Sequence, residues 1–174
     1  MIYARKFDIV YKRTQVVRRY KVFEIGELIC YPMHGVGVIQ SIDERTVLGE
    51  SDDYYTVRFL SNNMTVMVRV STASAVGVRR IIRADECPNV LKYLDEEPLP
   101  ESGNWNQRYR ENLEKLKRGT IYEVADVVKC LRKRNNDKGL SSGERKMFLS
   151  AKQALIDEIA IASGVDTQVI EQAL

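Results

Sequence analysis

The sequence predicts an α+β chain: a small β-barrel or roll followed by an α-helical bundle. Three observations predict it. Short runs of β-branched and aromatic residues, divided by tight turn residues, fill residues 28–82, as in small all-β units. From Asn104 onward, apolar residues recur at helical spacing between capping residues. Between the halves lies EPLPESG, residues 97–103, whose two prolines interrupt regular structure.

The elements follow in order. Leu28-Ile29-Cys30-Tyr31 reads as a strand, Pro32-Met33-His34-Gly35 as a turn, and 36–42 as a second strand. Residues 46–53 are mostly polar, with Gly49 as a turn signal. Residues 54–60 form a third strand, Ser61-Asn62-Asn63 a hairpin turn because Asn tolerates left-handed backbone, and 64–70 a fourth strand. Residues 76–82 supply a fifth, and 85–96 a short helix. Asn104 caps a helix over 105–117 that Gly119 ends. The next helix, 120–135, has Ile121, Val124, Ala125 and Val128 on one core-facing stripe. Ser141-x-x-Glu144 is a capping box opening a third helix, which buries Phe148, Ala151, Leu155 and Ile159 and stops at Gly164. Asp166 caps a last short helix. The organisation expected is an extension over 1–22, a barrel over 23–82, a connecting helix and linker over 83–103, and a helical domain over 104–174.

Bulk composition excludes several classes. No apolar run approaches the roughly 20 residues that cross a bilayer, and residues 1–21 hold no secretory apolar core, so a cytoplasmic protein is expected. Cys30, Cys87 and Cys130 are odd in number and form no CxxC pair, against a disulfide framework or a zinc site. The single histidine, His34, sits in a turn with no base or nucleophile at useful spacing. Gly35-x-Gly37 lies between strands and does not open a helix, so it is no phosphate loop. No catalytic constellation, metal site or cofactor motif is visible.

Charge is more informative. Residues 1–22 hold 7 Lys/Arg against 1 acid, and 104–150 hold 12 against 6, whereas 23–103 hold 7 against 13. The basic terminus reads as a polyanion-binding arm, an organellar transit peptide, or a loose extension; looseness is common at termini. In the bundle, Arg108, Arg110, Lys129, Arg132, Lys133, Arg134, Arg145 and Lys146 fall on non-core positions of three helices. Such a patch binds DNA phosphates through counterion release, or is simply a solvated surface. Trp105, the only tryptophan, opens a basic helix. It reads either as a packing anchor or as a wedge for a distorted minor groove.

The run Phe23-Glu24-Ile25-Gly26-Glu27 through Tyr31-Pro32-Met33-His34-Gly35-Val36-Gly37, with Val76-Gly77-Val78-Arg79, resembles the CarD/CdnL family of bacterial RNA polymerase-binding regulators. So do Asn104-Trp105-x-x-Arg108-Tyr109-Arg110-x-Asn112-Leu113-x-Lys115-Leu116, Glu123-Val124-Ala125-Asp126-Val127-Val128 and Gly139-Leu140-Ser141-x-Gly143-Glu144-Arg145-Lys146-Met147. The resemblance spans about residues 23–163 and implies a Tudor-like barrel that binds the polymerase β subunit through Arg45 and the strand 64–69. The family often has a basic residue where this chain has Met67 and a proline where it has Arg69. Residues two apart share a strand face, so Arg69 is expected to supply the missing charge. The resemblance further implies that the helical half lies on upstream promoter DNA, with Trp105 in the minor groove and Arg110, Arg134 and Arg145 on phosphates. Arg108 and Lys146 extend that surface. It offers no precedent for residues 1–22.

The expectation is therefore a monomeric, cofactor-free regulator of transcription initiation that stabilises the open complex. One rival is a polymerase-binding module without direct DNA contact, in which Trp105 packs and the patch is solvated. The other is an enzyme such as a nuclease, against which the missing site geometry counts.

Overall fold

The computed structural model describes residues 22–98 and 103–174. All of the basic extension but Val22, and most of the linker, lie outside the described residues. Five antiparallel strands are β1 (Leu28–Tyr31), β2 (Gly35–Val47), β3 (Glu50–Phe59), β4 (Thr65–Arg69) and β5 (Arg79–Arg80), in the order β4-β3-β2-β1-β5.

The expected barrel is instead an open sheet. Closure would need β4 to pair with β5, but after β4 the chain enters a 3-10 turn at Val70–Thr72. Of the fifth strand expected over 76–82, only Arg79 and Arg80 pair, against Cys30 and Ile29. The polar stretch 46–53 is also more ordered than expected. β2 and β3 run through it and join at Leu48-Gly49, whose φ angles of 54° and 84° suit a two-residue hairpin turn. This tip carries no apolar alternation because both of its faces meet solvent; Leu48 is fully exposed. Nearer the turn with Pro32, alternate residues do bury: Ile29, Ile39, Tyr55, Val57, Phe59 and Val68 form the sheet core, closed by Phe23, Val70 and Val78. The Tyr55 hydroxyl accepts from the Val22 and Phe23 amides at 3.1 and 3.3 Å, which fastens the entering chain.

Five α-helices follow: α1 (Cys87–Asp95), α2 (Trp105–Arg118), α3 (Ile121–Asp137), α4 (Ser142–Ser163) and α5 (Thr167–Gln172). The expected caps are present: the side chains of Asn104, Ser141 and Asp166 accept first-turn amides, and Ser141 with Glu144 completes the capping box. Thr120, expected as the first residue of its helix, is instead its cap and accepts the Glu123 amide. Gly119 and Gly164 close α2 and α4 in left-handed backbone. Helix α1 does more than connect: Cys87, Val90 and Leu94 enter the same core as Val124, Val128, Leu131, Leu155 and Ile159. Phe148, expected inside, only flanks that core, while Met147 and Ile156 are buried in it. Among the described residues no helix is long and apolar enough to cross a membrane.

Candidate functional site

Two helix N-termini converge at Trp105. The indole is 43% exposed, so it is neither a core anchor nor a loose side chain. Its ring stacks on Tyr109, one turn along α2, at 5.4 Å and 26°. Its Nε1 donates to the Ser141 hydroxyl, at the cap of α4, at 3.1 Å. Stack and hydrogen bond together hold a half-exposed ring in one orientation. Both helix ends carry partial positive charge, which favours anions nearby.

The basic residues around it fall into two groups. Arg110, Arg145 and Lys146 are exposed. Arg108 and Arg134 are half-buried and engaged. Arg108 Nη1 donates to the Gly103 carbonyl at 2.8 Å, and Arg134 Nε lies 3.2 Å from Glu144 Oε1. Glu144 is buried. Burial alone would raise its carboxyl, but the Ser141 hydroxyl and amide, then Arg134 and Arg108, hold it below the usual carboxylate range. One capping box thus starts α4, orients Trp105 and organises two arginines. The box was legible as a cap; its second role depends on α2 and α3 arriving beside it. Tyr109 and Glu144 are the residues that sequence reasoning passed over.

Three cations expected on the solvated patch stand elsewhere. Lys129 is buried, with Nζ 3.7 Å from the Tyr93 ring centroid, where an aromatic face replaces water. Arg132 donates to the Leu94 and Leu174 carbonyls at 2.6 and 2.8 Å, tying α1 and the C-terminus to α3. Lys133 pairs with Glu97 at 2.5 Å.

On the sheet, cross-strand register gathers the other candidates on one face. Arg45 pairs with Asp52, Tyr54 with Arg69, and Thr56 with Met67. The inward residues of β4 are Val66 and Val68, so Thr65, Met67 and Arg69 point outward. Arg45 is exposed, and Met67 is 53% exposed. Arg69 Nε donates to the Tyr54 hydroxyl at 3.3 Å and lies 3.6 Å from Asp52, with Glu50 at 3.7 Å from Nη1. The Tyr54 hydroxyl, then Asp52 and Glu50, hold its guanidinium above the ordinary arginine value. Arg69 is therefore a braced cation beside an exposed methionine. β4 pairs only with β3, so its other edge carries no strand among the described residues. His34 stacks beside Phe59 at 5.4 Å and Tyr31 at 4.8 Å, a structural turn histidine. Among the described residues no group of His, Cys, Asp and Glu could hold a metal ion.

Comparison with known proteins accounts for both halves. The description "CarD-like/TRCF RID domain" matches residues 23–82, and "CarD, C-terminal domain" matches 89–174. The "Putative transcription factor YdeB" of Bacillus subtilis (strain 168) is 33% identical over 150 residues, covering 86% of this chain and 98% of that protein. The solution structure of the 72-residue N-terminal domain of Myxococcus xanthus CarD is 31% identical, covering 33% of this chain and 77% of that one, with a TM-score of 0.30. The chain belongs to the CarD/CdnL family, whose members are not enzymes but transcription regulators that interact with RNA polymerase.

Proposed function

We propose that this chain binds the RNA polymerase β subunit through the outward face of β2, β3 and β4, at Arg45, Met67 and Arg69. Its helical unit then lies on upstream promoter DNA and stabilises the open complex, as a cytoplasmic monomer without cofactor. The observation that carries this reading is Trp105, a half-exposed indole fixed by Tyr109 and Ser141 at the meeting of two helix N-termini. Arg110 on α2 and Arg145 and Lys146 on α4, all exposed, would meet the phosphate backbone, with half-buried Arg108 and Arg134 bracing the surface. A rigid apolar wedge gains more from unstacked, widened DNA than from closed duplex. A ligand shifts an equilibrium only by its differential affinity. A preference of about 1–2 kcal/mol for open DNA raises a scarce open fraction about 5- to 30-fold.

The lifetime of open promoter complexes with purified bacterial polymerase tests the reading. Wild type should lengthen it, and Trp105→Ala should not. One observation favours the second reading, a polymerase-binding module without DNA contact: the indole N–H is already satisfied by Ser141. Salt-insensitive promoter binding would support that alternative.

A further inference from the structure

Arg79 and Glu158 meet across the boundary between sheet and helices, 79 residues apart in sequence. Arg79 lies on β5 and Glu158 on α4, with side chains 23% and 2% exposed. The guanidinium donates to both carboxylate oxygens, from Nη1 at 2.5 Å and from Nη2 at 2.8 Å. Its Nε donates to the Gly119 carbonyl, at the end of α2, at 2.7 Å. Glu158 in turn accepts the Ile82 amide at 3.1 Å, just beyond β5. One arginine therefore ties the sheet edge to two helices, and one acid ties α4 back to the chain leaving the sheet. The neighbouring Cys30 on β1 feels the same acid: burial first, and Glu158 second, push its thiol up to about 12. Burial would lower the Arg79 guanidinium, but Glu158 outweighs it and holds it above the ordinary value.

Apolar packing at this boundary is incomplete. Pro32 and Gly119 do touch closely; a Cβ on Gly119 would stand 2.6 Å from Pro32 Cγ. Beside that contact, however, lies a cavity of about 300 Å³, between Cys30, Tyr31 and Pro32 on the sheet side and Leu113, Leu116 and Met147 on the helical side. Where packing is incomplete, directional bonds decide the angle. A bidentate arginine–carboxylate pair is strongly directional, and a buried pair contributes geometry more dependably than net stability.

We infer that Arg79 and Glu158 are positioning residues that set the orientation of the helical unit on the sheet. They thereby fix the placement of Trp105 relative to the polymerase-facing strand β4. The functional consequence rests on the proposed open-complex reading; the geometric claim does not. Two sites on one chain reinforce each other only if both can engage at once.

Two variants of the full chain test this. Glu158→Gln keeps size and removes one charge. The double variant Arg79→Met with Glu158→Leu removes both, leaving no lone buried ion. Small-angle X-ray scattering, thermal melting, separate affinities for polymerase and for promoter duplex, and open-complex lifetime are measured. The double variant should melt cooperatively and scatter as a more extended, more variable particle. Each separate affinity should stay within about twofold, since neither Arg79 nor Glu158 is among the residues proposed to touch polymerase or DNA, and both are tied up in each other. The extension of open-complex lifetime should fall at least about fivefold, because simultaneous engagement is lost. Glu158→Gln should change scattering in the same direction. Scattering curves that superimpose on wild type in both variants would overturn the inference. So would a double variant that cannot fold while Glu158→Gln keeps the wild-type shape, because the pair would then serve the fold alone. If wild type itself fails to lengthen the lifetime, the open-complex reading falls, while the scattering comparison still decides the positioning role.

Discussion

Replacing Arg145 with alanine should flatten the salt dependence of DNA binding, and replacing Arg134 should not. Each phosphate neutralised by a side chain releases condensed counterions, so log affinity falls with log salt at about −0.9 per contact on duplex DNA. The structure leaves Arg110 on α2 and Arg145 and Lys146 on α4 exposed, whereas Arg134 lies against buried Glu144 and Arg108 is bonded to Gly103. A cation already paired with a carboxylate has little counterion release to give. Three contacts predict a slope of about −2.7, so affinity drops about 40-fold when salt rises fourfold. Had all five arginines and lysines counted, the slope would be about −4.5 and the drop about 500-fold. Arg145→Ala should bring the slope to about −1.8 and the drop to about 12-fold. Fluorescence anisotropy of a labelled promoter duplex, titrated with the full chain at several salt concentrations, reads these values. An Arg145→Ala slope equal to wild type, or an Arg134→Ala slope reduced as much as that of Arg145→Ala, would refute the division into exposed and braced cations.

Ser141→Ala should cost about 1 kcal/mol through loss of the α4 cap, visible in denaturant melts, and should shorten open complexes further by freeing the indole. Lys129→Ala should leave the salt slope untouched but lower the melting temperature, since the ammonium sits over Tyr93 inside the bundle. Because Glu144 is held below its ordinary value of 4.5, the unfolded chain binds a proton there more readily than the folded one. Its stabilising contribution is complete above about pH 4.5 and is lost as pH falls toward the folded value, so Glu144→Gln should lose less stability than wild type between neutral pH and acid. Thiol titration of the native chain at mildly alkaline pH should label Cys130 first. Cys30 and Cys87 are buried, and the Cys30 thiol is pushed up to about 12; equal rates at all three would contradict that burial.

The helical half was legible because its boundaries are written in local chemistry. Asn104, Ser141 with Glu144, and Asp166 each satisfy amides within three residues, so neighbours in sequence suffice to find them. The sheet was legible strand by strand but not in its closure, which depends on whether residues 65–69 and 79–80 meet. The alternation within a strand carries no word of that. The hairpin beyond Asp43 escaped notice because a strand wet on both faces loses its apolar half. In the site, Trp105 and the exposed cations stand out by residue type alone. Lys129 does not: its place inside depends on Tyr93, on a helix 36 residues earlier. The Val76-Gly77-Val78-Arg79 run was visible as a motif without a reason. The reason is Glu158, on another element altogether.

The unclosed sheet has a consequence for numbers of molecules rather than for shape. A closed barrel offers no free strand edge through which copies could pair. Here, among the described residues, β4 keeps one edge unpaired, and Thr65, Met67 and Arg69 stand beside it. Backbone donors and acceptors along such an edge accept any extended chain that reaches them. A second copy of this protein paired along that edge would crowd the side chains proposed to meet polymerase, so the two partners would compete. The share of chains able to work would then depend on how many polymerases the cell holds for each copy.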